Sequence, residues 1–249
     1  MKLSAPFLFL RDFFGDMISR PKNIHSFVSR YQNLRSYSYP IGVLPLRDIF
    51  DVVPDAATRP VTFQGIFEIP ALSRNLPHEA ERYTASTTLA DSYVLALISS
   101  AFVKKQVLEV GTSYGESALL FALNSPDEAS IVTLDIQTDN PTVGMRFRGT
   151  AASKKIKPVC STLTDLLPTL EPKSFDLIFI DGDHSHAGVM ADTMAAIQLV
   201  RPGGVICWHD YSFMFRDDVV RALDEVHSMG ILNIQKIAYT NVSVAVLPD

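Results

Sequence analysis

The sequence predicts a doubly wound α/β sheet, and three observations carry that expectation. From about residue 85 to the end, short apolar runs alternate with segments of helical period, the pattern of strand–helix–strand units. The first run ends in a glycine-bearing turn, Val110-Gly111-Thr112-Ser113-Tyr114-Gly115, that opens into a helix. The last two runs flank residues 239–241 closely enough to read as an antiparallel hairpin. The expected fold is therefore Rossmann-like. Its sheet has seven strands, mostly parallel, with a C-terminal antiparallel hairpin and an N-terminal arm in front.

The arm spans residues 1–84 and the sheet domain 85–249. In the arm, Leu3, Phe7, Leu10, Phe14, Met17 and Ile18 recur at helical spacing, and Pro21 stops the pattern. From there to Pro77 the chain is rich in proline and aromatics without sustained period. That composition suits a cap or dimer contact that buries Phe50, Phe63 and Phe67, a substrate lid, or a membrane-surface helix. In the domain, residues 87–102 read as a helix, 106–110 as a strand, 116–123 as a helix and 130–134 as a strand. Residues 142–154 read as a helix, 156–160 as a strand and 164–170 as a short helix. Residues 175–180 form a fully apolar strand, followed by a helix over 186–200, a strand over 204–208 and a helix over 217–229. The hairpin strands are 231–238 and 242–247. The five strands before the hairpin read as apolar on both faces, as parallel central strands should be.

An apolar fraction of 47% can bury a full core and excludes a disordered chain. The net charge is −5, yet residues 1–50 carry seven basic and three acidic side chains, which leaves −9 on the rest. An acidic domain argues against nucleic acid as a partner. Two cysteines, Cys160 and Cys207, are too few for a disulfide framework; both fall in strand-like runs and read as buried thiols of a reducing, cytoplasmic compartment. No apolar run reaches the roughly 18 residues of a membrane span.

Ligands of such sheets sit beyond the carboxyl ends of the strands. Gly111 and Gly115 let the backbone turn and approach a ligand, but Ser113 takes the middle position of a dinucleotide glycine motif, which disfavours a diphosphate. Glu109, at the end of a central strand, is costly unless paired. A cationic ligand would pair it, and capping of its own turn is the alternative. Asp135, at the end of the next strand, is placed to hold ribose hydroxyls or to cap a turn.

These residues resemble the class I S-adenosylmethionine-dependent methyltransferases. Glu109-Val110-Gly111-Thr112-Ser113-Tyr114-Gly115-Glu116-Ser117 looks like their first motif, and Asp135 matches the acid of their second strand. The resemblance covers residues 85–249. It implies an S-adenosylmethionine site built from Glu109, Gly111, Thr112, Ser113, Gly115, Ser117, Asp135, Ser161, Thr162 and Asp181, with Ser161 and Thr162 on the adenine side. Cys160 stands where that family often has glycine.

A second cluster follows. The strand 175–180 runs into Asp181-Gly182-Asp183-His184-Ser185-His186, and the strand 204–208 into His209-Asp210-Tyr211. Neighbouring parallel strands lie about 4.8 Å apart, so their ends bring Asp181 near His209 and Asp210. Asp183 and Ser185 read as helix caps, and His186 as solvent-facing. The pattern resembles the metal-dependent small-molecule O-methyltransferases, a subgroup with catechol-type, antibiotic-sugar and cephalosporin-hydroxylase-like members. The resemblance implies Asp181, His209 and Asp210 as metal ligands and His184 as general base beside Asp181. His209 stands in place of an acid or amide, and an imidazole suits Mn²⁺, Fe²⁺ or Zn²⁺ better than Mg²⁺. A metal-free site with His209 as hydrogen-bonding group or base is the alternative.

The expected function is methyl transfer from S-adenosylmethionine to a hydroxyl of a small molecule, in a chain that self-associates through its arm. A catalytically silent scaffold of the same fold and an NAD(P)-dependent oxidoreductase are the alternatives; the second lacks the middle glycine.

Overall fold

The structure, a computed structural model, describes residues 42–44, 89–100, 106–212, 217–237 and 240–248. The rest of the arm, including its expected first helix and the boundary at residue 84, lies outside the described residues.

All seven expected strands are present: β2 (Gln106–Val110), β3 (Ser130–Asp135), β4 (Ile156–Cys160), β5 (Phe175–Ile180), β6 (Val200–Trp208), β7 (Gln235–Ile237) and β8 (Ser243–Val246). The arm adds one strand that its composition did not announce, β1 (Gly42–Leu44). The spatial order is β1-β7-β8-β6-β5-β2-β3-β4. Strands β2 to β6 run parallel, and β8 is antiparallel to both β6 and β7. The helices are α1 (Leu89–Ser100), α2 (Glu116–Leu123), α3 (Leu163–Leu166), α4 (His186–Leu199) and α5 (Asp217–Ser228).

Alternation along the strands sends side chains to two separate cores. Val107, Ile131, Phe179 and Cys207 pack with Val94–Ile98 of α1 and Ala118–Ala122 of α2 on one face. Leu108, Leu134, Ile178, Ile206 and Trp208 pack with Val189, Ala196 and Leu199 of α4 and Val219–Val226 of α5 on the other. Burial on both faces suits the apolar residues of β5, but the strand is not fully apolar: its Asp176 pairs with Arg201 at 2.6 Å and accepts from Gln106 N–H.

Two further expectations need correction. The strand β4 is an edge strand, and its Lys157, Pro158 and Cys160 are exposed, so it is not apolar on both faces. Proline is tolerated there because an edge strand leaves one row of N–H groups unpaired. Cys160 is accordingly an exposed free thiol, and only Cys207 is buried. The helix expected over 142–154 is replaced by turns and a short 3₁₀ helix, Ala151–Lys155. Gly144 (φ +71°) and Gly149 (φ +74°) sit in left-handed conformation and break the helical run.

Candidate active site

The carboxyl ends of β2, β3, β5 and β6 are stitched by backbone hydrogen bonds. Gly111 N–H and Thr112 N–H both donate to Leu134 O, Asp181 N–H donates to Val110 O and His209 N–H donates to Ile180 O, all within 3.1 Å. The first turn is tight against its neighbour: a Cβ on Gly111 (φ +98°) would lie 2.1 Å from the Asp181 carbonyl oxygen. Ser113, in the position of the missing middle glycine, itself adopts φ +45°. Its N–H donates to Asp135 Oδ2 at 2.9 Å, which offsets part of that cost. The turns after β3 support this loop from outside. Gly144 N–H donates to Ser113 O and Arg146 N–H to Tyr114 O, while the Arg146 guanidinium pairs with Glu116 at 2.8 Å.

A cavity of about 680 Å³ opens along these strand ends. Gly111, Ser113, Asp135, Ser161, Thr162, Asp181, His184, His209 and Asp210 all line it. Glu109, Thr112, Gly115 and Ser117 are not in that wall; they lie in the layer behind it. Glu109 is fully buried, and the Ser117 and Thr133 hydroxyls donate to its carboxyl, with Thr112 Oγ1 next to Thr133 Oγ1 at 2.6 Å. Burial pushes Glu109 up to about 8 despite those two hydroxyls, with Asp181 and Asp135 adding to the rise. Within the protein, two hydroxyls thus satisfy this carboxyl. Asp135 reaches the cavity and also caps its turn, accepting from Ser113 N–H and Gln137 N–H.

At the ends of β5 and β6 the acids and imidazoles meet. His184 Nε2 lies 3.3 Å from Asp181 Oδ1 and 3.2 Å from Asp210 Oδ2, ion-pair distances, yet it makes a well-formed hydrogen bond to neither. Asp181, then Asp210, raise His184 to about 9 against its own burial, so at neutral pH it carries a proton rather than sitting near its ordinary value. Burial pushes the Asp181 carboxyl up, but His209 and His184 outweigh it and hold the carboxyl below its usual value. His209 is buried. Burial opposes its charge, but Asp181, Asp91 and Asp210 raise it well above the ordinary imidazole value. Its Nε2 meets Asp91 Oδ2 at 3.3 Å, and its Nδ1 faces Asp181 and Asp210 at 3.5 and 3.3 Å.

The ligand atoms of Asp181, His184 and Asp210 all lie within 4.8 Å of one another. Two carboxylates and an imidazole nitrogen fit a divalent cation once the imidazole has released its proton. The structure therefore joins Asp181 and Asp210 as the sequence suggests and puts His184 with them, while His209 is tied to Asp91 behind. The capping residues behave as expected: Ser185 Oγ accepts from Gly188 N–H, and Asp183 accepts from Ser185. His186 is half-exposed, with Nε2 at 2.9 Å from Glu225.

Two site residues escaped sequence reasoning. Asp91 is a buried acid in an otherwise apolar helix, which was a usable signal, and it accepts from Asn241 N–H as well as meeting His209. Asp192 lines the cavity from α4 and left no distinctive mark in the sequence.

Comparison with known proteins agrees with this geometry. Residues 108–211 match the family model described as a methyltransferase domain. The chain is 33% identical over 113 residues to a catechol O-methyltransferase of Mycobacterium tuberculosis, covering 45% of this chain and 50% of that protein. It is 30% identical over 146 residues to catechol O-methyltransferase domain-containing protein 1 of Mus musculus, covering 56% of this chain and 55% of that protein. The chain thus spans about half the length of the curated relatives it matches. Among solved structures, the O-methyltransferase TomG of Streptomyces achromogenes, in complex with SAM, superposes with a TM-score of 0.59 at 17% identity, over 74% of this chain and 90% of that one. An O-methyltransferase of Bacillus cereus in complex with SAH gives 0.57 at 18% identity, over 74% and 90%.

The fold is the one those solved methyltransferases share, a doubly wound sheet closed by an antiparallel pair. Over residues 108–211 the chain is similar to a methyltransferase-domain model, and the curated relatives named above are of the O-methyltransferase kind.

Proposed function

We propose that this chain is an S-adenosylmethionine-dependent O-methyltransferase acting on a hydroxylated small molecule, with a divalent cation held by Asp181, His184 and Asp210. The observation that carries the reading is one continuous cavity whose wall includes both Asp135 and the Asp181–His184–Asp210 cluster. In this reading Asp135 takes the ribose hydroxyls, Gly111 and Ser113 border the amino-acid part, and Ser161 and Thr162 border the base. Glu109, Thr112, Gly115 and Ser117 act from behind by shaping the turn. A cation bound at the cluster supplies a lowered hydroxyl pKa. Asp181 and Asp210 provide the negative charge, His184 orients the acceptor hydroxyl between them, and Asp91 fixes the His209 ring behind. In-line placement of that hydroxyl against the methyl group supplies the rest.

Because Asp181 and Asp210 raise His184 to about 9, it is a poor free base near neutral pH, and a cation at the cluster would have to displace its proton. The residues 1–84 would contact the acceptor or a second copy of the chain, and two free thiols suit a cytoplasmic setting. Among the described residues no helix is long and apolar enough to cross a membrane.

Calorimetric titration with S-adenosylmethionine and S-adenosylhomocysteine, with and without Mn²⁺ or Mg²⁺, tests the reading. One nucleoside per chain and a Mn²⁺ heat that disappears in Asp210→Asn are expected. Absence of nucleoside binding overturns it, and Mn²⁺ binding unchanged in Asp210→Asn removes the cation site.

A further inference from the structure

A chain that leaves a strand still extended sends successive side chains to opposite faces, yet His209 and Asp210 both line the cavity. The backbone shows how. Asp210 adopts φ +58°, a left-handed conformation that residues other than glycine rarely take. That reversal turns its carboxylate to the side of the His209 ring. There Oδ2 lies 3.2 Å from His184 Nε2, and Oδ1 lies 3.3 Å from His209 Nδ1. Backbone strain of this kind persists only where the surroundings over-determine it.

The residue that follows is held through both of its backbone groups. Tyr211 N–H donates to Asn241 O at 3.0 Å, and Tyr211 O accepts from Lys236 Nζ at 2.9 Å. The same ammonium donates to Thr240 O at 2.9 Å, so it ties the end of β6 to the hairpin turn. That turn is itself well anchored. Thr240 Oγ1 donates to Ile237 O and accepts from Val242 N–H, while Asn241 N–H donates to Asp91.

Lys236 is the member that needs explaining. It stands in the middle of β7, opposite Ser243 of β8, and is 1% exposed. Lysine is almost never buried to that degree unless paired, because its ammonium is strongly hydrated. An apolar side chain would fill the sheet at lower cost. What it would lack is a donor for the carbonyls of Tyr211 and Thr240, which the loop and the turn bring together. The ammonium therefore serves the loop that carries Asp210 rather than the core.

We propose that Lys236 is a positioning residue: its ammonium fastens Tyr211 to the hairpin turn and so keeps Asp210 in the left-handed conformation that presents its carboxylate to the cluster. One of its two tests rests on the cation reading above, and the other does not. Both use the full chain as wild type, Lys236→Met and Lys236→Gln. Methionine matches lysine in length and donates nothing; glutamine is uncharged and one atom shorter, and cannot hold both carbonyls. In the metal-free protein, the amides of Tyr211 and Ser212 should exchange with deuterium about tenfold faster in Lys236→Met, with β5 unchanged. By calorimetry, Lys236→Met should bind Mn²⁺ about tenfold more weakly and Lys236→Gln by less, with S-adenosylhomocysteine affinity within about twofold. A lysine that served stability alone would lower the melting temperature and leave the Mn²⁺ affinity of the folded protein flat. Either readout unchanged in folded Lys236→Met overturns the role of Lys236 and leaves the cation reading intact. If Lys236→Met does not fold, Lys236→Gln decides, and wild-type values of either readout in it overturn the role. A wild type that binds no Mn²⁺ overturns the cation reading, and exchange alone then decides for Lys236.

Discussion

Glu109 shows how the need of one side chain can be legible while its partners within the protein are not. An acid at the end of a central strand demands compensation, and the sequence alone names a cation as the simplest source. Within the protein, Ser117 and Thr133 hydroxyls from the adjoining helix and strand donate to it, at a separation of 8 and 24 residues that no local pattern reveals. The consequence is measurable. Folding raises this carboxyl from its ordinary 4.5 to about 8. Between those values the folded chain keeps a proton that the unfolded chain has released. The contribution of Glu109 is therefore complete below pH 4.5 and is lost as pH rises toward 8, at up to about 1.4 kcal/mol per pH unit. Denaturant unfolding of wild type and Glu109→Gln across pH 5–8 should show the variant gaining on the wild type as pH rises. Parallel stability curves would mean that Glu109 is ionised in the fold. At the cluster, spacing sufficed to bring Asp181 and Asp210 together, because β5 and β6 are parallel neighbours. Both imidazoles meet these acids, and the hold of Asp91 on the far side of His209, 118 residues earlier in the chain, was not readable.

The turn between β2 and α2 carries the most specific constraint in the fold. Gly111 meets two independent demands, a left-handed φ and a backbone neighbour at the place a Cβ would occupy. Gly149 has a similar φ of +74° with nothing within 4 Å of its missing Cβ. The pair separates strain from collision. Gly149→Ala should cost about 1–2 kcal/mol, the price of a left-handed alanine. Gly111→Ala should cost more and should also push the Asp181 strand end away, with at least a tenfold loss of S-adenosylhomocysteine affinity. Equal costs for the two variants, with affinity retained in both, would show that the turn and Asp181 are not mechanically coupled. Strands and long helices were readable at this scale because period and apolar content coincide. The turns over 142–149 were not, because their helix-like composition is overruled by two glycines and by hydrogen bonds to Ser113 and Tyr114, contacts that only the folded chain makes.

At the scale of the molecule, alternation of side chains places the two cysteines in opposite environments. Cys160 ends the edge strand β4, whereas Cys207 lies inside the sheet, where burial raises its thiol. A thiol reagent such as Ellman's should therefore modify one cysteine per native chain rapidly. The second should react only at the rate of global opening and become fast in denaturant. Two fast equivalents in the native protein would contradict the sheet order. The doubly wound class, strand directions and hairpin were legible because they follow from alternation and connection rules. The edge position of β4 was less so, although Lys157 and Pro158 are the marks of an edge.

The pairing of β1 with β7 has a consequence for biosynthesis. Gly42 pairs with Gln235 and Leu44 with Ile237, so the earliest of the described strands lies beside one of the last of them. A ribosome delivers β2 to β6 well before β7 exists, and the strand at Gly42–Leu44 has no edge to join during that interval. The central sheet can condense while the Gly42–Leu44 strand waits, and closure of the far edge must follow the emergence of β7. Long-range pairing of this kind is slow, because loop closure precedes any gain in contacts. Nascent copies on one messenger therefore spend that interval with an unclaimed strand apiece, the circumstance in which edge-to-edge exchange between neighbouring chains competes with the correct intramolecular closure.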